Sequence, residues 1–556
     1  MRITVTDTEL EELLARLNGR RYSAYKRLRN KIIDYNIAKA TLTKIQSDPH
    51  SPPSIIEVTI SYSSHRMPLE FFKGGRIVPF TDYIARALYA TLRKYCKKCG
   101  SGYSCYMGIP KPSPRILRRS CVEVYGENLV LRFFIGLPAK GRRILGEKAR
   151  ILLIDNIIKV VKSIIALRNR INDIRKHVEN YMDQEFLRKW LYENNYMFFI
   201  GDGSILPRES SLSERPLRKA IPFKSPETLR VQVKLPSGRV VTGMAVPHGL
   251  LMITGGGYHG KTTLLQAIQE GIYNHVEGDG RELVVSRKYT VLVRAEDGRI
   301  VTHVDVSNLI EKLPSSEDTL DFTSLNSSGS TSMAASIIEA IEAGAEDLLI
   351  DEDTSATNLL YKDEIMSKII PNDPIKPLHY QVREIIDRTN MGIVIIASAS
   401  SAFINVADNV VLMENYVPKD ITSNVKKYGT GELKRTEFRF PRRRVFHGIK
   451  GLKKIRARGF KIVAEYDNGV KHELDLTYYP RIVEKGQVNL IAYIIRKLSK
   501  VKEPIMVREL ADYVNKMLEE DFFKIVKPTP PDLTMVDGFD VVWVLNRMYN
   551  AVFYQI

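Results

Sequence analysis

The sequence predicts an α/β core, a mainly parallel sheet covered on both faces, with an α+β region before it and a smaller region after it. Three observations carry this. Strand-like and helical stretches alternate from Ile253 to Met413, the signature of βαβ architecture. The strand candidates Leu250–Ile253, Leu348–Ile350, Ile393–Ala397 and Val410–Met413 are short apolar runs without alternation, as expected of strands buried on both faces. Between the first of them and the helical stretch Thr263–Glu270 lies Gly255-Gly-Gly-Tyr-His-Gly-Lys-Thr262, which fits GxxxxGK[ST] in the strand–loop–helix context that motif needs.

The elements follow in order. A helical pattern runs from Glu9 to about Tyr35, and a strand pattern, Ile55–Tyr62, follows Pro52-Pro53. A helix from Asp82 to Lys94, a strand at Leu129–Ile135 and helices from about Arg143 to Arg168 and Asp173 to Glu193 complete an α+β domain over 1–200. The Gly-, Ser- and Pro-rich stretch 201–228 has no helical period and reads as a linker. Strands Leu229–Lys234, Arg239–Ala245 and Leu250–Ile253 open the core domain, 229–425. A basic strand-rich stretch and a helical tail from Val488 to the C-terminus form the last domain, 426–556.

Length and composition bound the function. A chain of 556 residues has material for several cores. The longest apolar run, Ile151–Ile165, is broken by Asp155, Lys159 and Lys162, so no membrane span is expected. The N-terminus lacks the apolar stretch of a signal peptide, which makes the cytoplasm the expected compartment. A formal charge of +19 favours an anionic partner, nucleic acid first; a merely solubilising or ion-paired surface is the alternative. Cys96, Cys99, Cys105 and Cys121 cluster in one stretch. Their spacing leaves zinc, disulfide and free thiols all open.

The chemistry centres on the glycine-rich loop. Gly255, Gly256, Gly257, Tyr258, His259, Gly260, Lys261, Thr262 and Thr263 are the candidates for cradling phosphates. Backbone N–H groups turn inward, and the helix N-terminus adds partial positive charge. Lys261 is expected to reach the β- and γ-phosphates and Thr262 to hold Mg²⁺. The apolar strand Leu348-Leu-Ile ends in Asp351-Glu352. Asp351 is the second expected Mg²⁺ ligand, and Glu352 is placed to polarise an attacking water. Ser327 to Ser332 open a helix just before that strand, giving a capped N-terminus and a second candidate anion site at Ser328, Gly329, Ser330, Thr331 and Ser332.

Together these motifs resemble the predicted ATPases of the ABC class, a group distinct from transporters. The resemblance covers most of the chain. It rests on Gly255–Lys261, Tyr273–Arg281, Arg294-Ala-Glu-Asp-Gly-Arg299, Ser328–Ser332 and Ile350-Asp-Glu-Asp-Thr-Ser-Ala-Thr-Asn358. Asp48–Pro53, Gly136–Arg143, Gly203–Arg208 and Lys454–Gly459 look like further family blocks. It implies ATP as ligand and a homodimer formed on ATP binding. In that dimer the Ser328–Ser332 loop meets the γ-phosphate held by the partner, and Ser355, Ala356 and Asn358 stand at D-loop positions. What is known of the family leans toward RNA. Two features of transport-type ABC domains are missing. No Gln occurs between Gln269 and Gln381, so Asp305 or Ser307 is the possible substitute. No switch His follows Ile393–Ala397, where Ser398-Ala-Ser-Ser401 stands instead. A Ser hydroxyl cannot take up positive charge, so slow hydrolysis is expected. Phe223 is a possible adenine-stacking aromatic, with a core role as the alternative.

The stretch Leu433–Lys461 holds twelve Lys and Arg, among them Lys434, Arg439, Arg443, Lys454 and Arg458, with Glu437 its only acid. Phe438, Phe440, Phe446 and Phe460 interleave. Phosphate neutralisation with aromatic stacking is the chemistry of single-strand binding, unless the phenylalanines are the buried face of strands. Arg142, Arg143 and the run Arg115–Arg119 are secondary candidates. The reading is an ABC-type ATPase, with slow hydrolysis by Glu352, coupled to RNA or other nucleic acid. A nucleic-acid-binding scaffold with ATP as structural ligand is the alternative, and a P-loop kinase is the third.

Overall fold

The computed structural model describes residues 3–211, 213–428 and 435–556. By contact density the chain divides into two compact units. The first comprises Met1–Met182 with Glu484–Leu490 and Leu518–Met535; the second comprises Asp183–Val483, Ile491–Met517 and Val536–Ile556.

The first unit is built on a seven-stranded sheet. Strands Lys39–Lys44, Ser54–Ile60 and Asn128–Ile135 run antiparallel in sequence-local order, and Ile3–Thr6 adds a parallel edge beside Lys31–Asp34. Its core includes Leu10, Leu14, Ile56, Phe80, Leu88, Phe133 and Val161. The N-terminal helix is Asp7–Leu17, opened by a capping box between Thr6 and Glu9. The expected helix to Tyr35 is not formed. Asn18-Gly19 breaks it, with Gly19 at φ 72°, and a 3₁₀ turn and the strand Lys31–Asp34 follow. Cys99 and Cys105 form a disulfide, and Cys96 and Cys121 are free. Among the described residues no His, Cys, Asp or Glu cluster is suited to a metal, so the zinc alternative has no ligand set there.

The second unit holds a six-stranded sheet. Its strands are β1 (Leu250–Thr254), β2 (Thr290–Val293), β3 (Asp347–Asp351), β4 (Gly392–Ile396), β5 (Asn409–Glu414) and β6 (Val417–Asp420). They lie in the order β2-β3-β4-β1-β5-β6. All pairings are parallel except β5 with β6. Every residue of β3 and β4 is buried, which is why these runs lack alternation. Helix α1 (Lys261–Glu270) buries Leu264, Leu265 and Ile268 against Leu251, Leu349, Val394 and Val411. Helix α2 (Gly329–Ala343) precedes β3 and is buried along almost its whole first half. A separate antiparallel sheet pairs Arg230–Lys234, Val240–Pro247, Tyr196–Gly201 and Val284–Ser286.

Register aligns the carboxyl ends of the parallel strands. Asp351 stands opposite Ile396, Ile396 opposite Ile253, and Ile253 opposite Val411. Ligands of open α/β sheets bind at that edge. Toward the C-terminus, Leu452–Arg458, Lys461–Tyr466 and Lys471–Asp475 form a three-stranded meander. The expected helical tail ends as a strand: Ala551–Gln555, β-branched and aromatic, pairs with Arg444–Ile449. No described helix is long and apolar enough to cross a membrane.

Candidate functional site

The loop after β1 is shaped by backbone geometry. Gly255 has φ 139°, and a Cβ there would meet Met413 O at 2.3 Å. Gly260 has φ 93° and caps α1. Both positions need glycine. The turn between β5 and β6 braces the loop: Asn415 N–H donates to His259 Nδ1 (3.2 Å), and Tyr416 lies against Gly260. His259 is thereby tied to the β5–β6 turn. Tyr258, with φ 62°, is 98% exposed. Lys261 Nζ donates to Gly255 O and Gly256 O (2.8 and 2.7 Å), so its charge is held over the loop.

Two motifs 89 residues apart meet at Thr262, whose Oγ1 donates to Asp351 Oδ2 at 3.1 Å. A hydroxyl and a carboxylate at that separation are a hard-oxygen donor pair suited to Mg²⁺. Burial pushes the Asp351 carboxyl above its usual range, against hydrogen bonds from the Asp353 amide and Thr262. Glu352, one residue on, accepts from Ser398 N–H (2.7 Å) and Ala399 N–H (3.2 Å) at Oε2, and from Tyr361 Oη (2.7 Å) at Oε1. Burial pushes its carboxyl up, but the Ser398 amide, the Tyr361 hydroxyl, the Ala399 amide and the Lys261 charge outweigh it and hold the group below the ordinary range. Sequence reasoning found Glu352 but neither Tyr361 nor the two amides. Backbone donors carry no residue identity, and no motif flags the tyrosine.

The Ser328–Ser332 loop divides in two. Ser328 caps α2, accepting from Thr331 N–H, and is exposed. Ser330 Oγ donates to Asn358 Oδ1 at 3.0 Å, joining this loop to the run after β3. Thr331 and Ser332 face inward. Ser332 is fully buried and accepts from Glu296 N–H (2.9 Å) while donating to Gly329 O (2.9 Å). The Arg294–Arg299 block forms the support beneath. Glu296 pairs with Arg547 (2.5 Å) and Arg299 with Glu339 (2.8 Å). Burial pushes the Glu296 carboxyl up, but the Arg547 guanidinium overrides this and holds it down at about 2.

Other expected positions are displaced from the site. Asp305 accepts from Ser307 N–H and Oγ and from Arg442 N–H, and neither Asp305 nor Ser307 is bonded to the P-loop. Register shows why: Val293 pairs with Ile350, so the position level with Asp351 is Arg294, whose guanidinium stacks on Tyr478 at 5.2 Å. Phe223 is buried in the core with Leu206 and Leu229, which settles it as a packing residue.

The basic stretch is less basic in space than in sequence. Leu433 and Lys434 lie outside the described residues. Arg444 is buried against Glu342 (2.5 Å), Arg456 pairs with Glu465 (3.5 Å), and Lys461 pairs with Glu473 (2.6 Å) and Asp475 (3.5 Å). Arg435, Arg442, Arg443, Lys450, Lys453, Lys454 and Arg458 remain exposed. Phe438 and Phe446 are core residues, whereas Phe440 is 62% exposed. Phe440 lines a recess with Pro441, Arg443, Met506 and Arg508. In the first unit, Arg115 and Arg119 are buried, Arg119 between Asp82 and Glu484, which removes them as contacts. Arg142 stays exposed beside Asp48.

Known families account for most of the chain. A model for the N-terminal region of ATPases of the ABC class matches residues 7–168. The ABC-ATPase P-loop domain model matches 170–445, and an MRB1590 C-terminal domain model matches 454–553. A relative from Methanocaldococcus jannaschii, described as uncharacterized protein MJ1628, is 31% identical over 283 residues, 47% of this chain and 62% of the relative. The match thus spans under two thirds of that relative's length. With both its N-terminal region and its P-loop domain matched by models of one class, the chain belongs to the non-transporter ATPases of the ABC class.

Proposed function

We propose that the chain binds ATP with Mg²⁺ at Gly255–Thr263 and hydrolyses it slowly, Glu352 acting as base, with ATP binding coupled to RNA or another nucleic acid. The observation that carries the reading is the Thr262–Asp351 contact at 3.1 Å with Glu352 next in sequence. It supports the reading because the loop after β1 and the end of β3 meet at the carboxyl edge of the sheet, where a phosphate cradle, two Mg²⁺ donors and a carboxylate base would act together. Thr262 and Asp351 would hold Mg²⁺, which would supply positive charge to offset that of the phosphates. Lys261 supplies the cation for the phosphates.

A second copy completes the site in this reading. The end of its α2 formed by exposed Ser328 and half-buried Gly329 and Ser330 meets the γ-phosphate, while Thr331 and Ser332 keep the loop in shape. Slow turnover follows from Ser398–Ser401, which offers amides and hydroxyls but no group able to take a proton. For nucleic acid, the reading rests on Phe440 as the stacking ring, with Arg443, Arg508 and the exposed side chains of Lys450–Arg458 for phosphates. The cytoplasm is the compartment that supplies ATP and RNA together.

Replacing Glu352 by Gln is expected to lower ATP turnover by about 10²-fold or more, the usual share of a general base, with ATP still bound. Unchanged turnover would sink the assignment. Sedimentation with labelled RNA at low salt, with and without ATP, tests the rest. A species that stays monomeric in saturating ATP contradicts the composite site, and absent or salt-insensitive RNA binding contradicts the basic surface.

A further inference from the structure

We propose that Tyr361 is a positioning residue for ATP hydrolysis, fixing the direction in which Glu352 presents its one remaining acceptor site to the attacking water. This rests on the reading of Glu352 as the base. A carboxylate has about four lone-pair sites. Among the described residues three are taken, by Tyr361 Oη at 2.7 Å, Ser398 N–H at 2.7 Å and Ala399 N–H at 3.2 Å. One is left, the number a single water needs. The two amides both grip Oε2, so without the tyrosine the carboxylate pivots about that oxygen and Oε1 loses its fixed direction. Three donors together set both the position and the plane of the group.

Tyr361 is itself held. It follows the short helix Thr357–Leu360, whose Leu359 and Leu360 are fully buried. Its own N–H closes that turn on Thr357 O at 3.1 Å. The same helix carries Asn358, bonded to Ser330. The hydroxyl therefore projects from a seated element, which a positioning group requires. Nothing in the motif Asp351–Asn358 calls for a tyrosine three residues beyond it, so the assignment comes from geometry alone.

The test is steady-state ATP hydrolysis by the full chain carrying Tyr361→Phe, which keeps the ring and removes only the hydroxyl. The expected result is a fall in kcat of about ten- to a hundredfold, the range seen when an orienting partner is lost. KM, and the Kd of a non-hydrolysable ATP analogue, should stay within about twofold, because the hydroxyl touches the base and not the nucleotide. A kcat within about twofold of the parent overturns the proposal. So does a loss of kcat matched by an equal loss of analogue binding, the mark of a general structural defect. Glu352→Gln run in parallel separates the two readings. If it turns over ATP like the parent, the base assignment fails and Tyr361 falls with it. If it is inactive while Tyr361→Phe keeps its kcat, only the tyrosine's role fails.

Discussion

The phosphate loop and the basic stretch near residues 433–461 are both dense in charge or motif, yet sequence adjacency means different things in them. At Gly255–Thr262 neighbours in sequence are neighbours in function, because a strand, a tight loop and a helix N-terminus are local objects. In the basic stretch neighbours part company. Arg443 is exposed while Arg444 is buried, and Phe438 is core while Phe440 faces outward. The acids that neutralise Arg456 and Lys461 arrive from the two following strands of the meander. A glycine-rich loop carries its own geometry; a charge run gets its meaning from what pairs beside it.

Substitutions can break or sharpen this contrast. The largest effect is expected from Arg444→Ala. It strips a buried partner from Glu342 and from Asn546 (2.9 Å) and should cost about 3–5 kcal/mol of stability, read by chemical denaturation. If stability hardly moves, Arg444 belongs to the exposed set after all. Next, Lys261→Ala is expected to weaken ATP binding by about ten- to a hundredfold, the loss of a charge-assisted hydrogen bond, with stability nearly unchanged. Calorimetric titration with ATP reads it, and full-strength binding would mean that the loop acts through its amides alone. Smallest is Lys454→Ala, an exposed cation with no ion pair among the described residues. Stability should stay within about 0.5 kcal/mol, and the slope of log K against log salt for RNA should drop by about 1. An unaltered slope would exclude this part of the meander from the contact.

Four of the five parallel strands are legible as short apolar runs, β2 being the exception, and the Gly255–Thr262 and Asp351-Glu352 motifs each follow one of them. Leu348–Ile350 and Ile393–Ala397 are the plainest cases. Apart from the helix expected to Tyr35, which a local Asn18-Gly19 break ends, the departures share one physical cause, information held elsewhere in the chain. Ala551–Gln555 becomes a strand because Arg444–Ile449 offers it an edge. The sequence offers Asp305 or Ser307 for the missing Gln, whereas pairing of β2 with β3 puts Arg294 level with Asp351. In sequence the Ser328–Ser332 loop offers five like candidates, but Ser332 is bonded to the Glu296 amide and the Arg299 guanidinium, and Thr331 is buried against Ser328. Glu352 was legible; its three donors were not, since two are backbone amides.

The order of the sheet also has a consequence for biosynthesis. The strand bearing the phosphate loop, β1, has no partner close in sequence. Its two neighbours, β4 and β5, begin at residues 392 and 409. A nascent chain that has emerged only as far as β3 carries the whole glycine-rich motif and cannot yet hold it in place. Long-range parallel pairing of this kind is slow and leaves apolar edges open meanwhile. If the loop binds nucleotide as proposed, that competence is expected only once β5 has emerged, and a fragment ending before β5 should carry an intact motif without the capacity to use it.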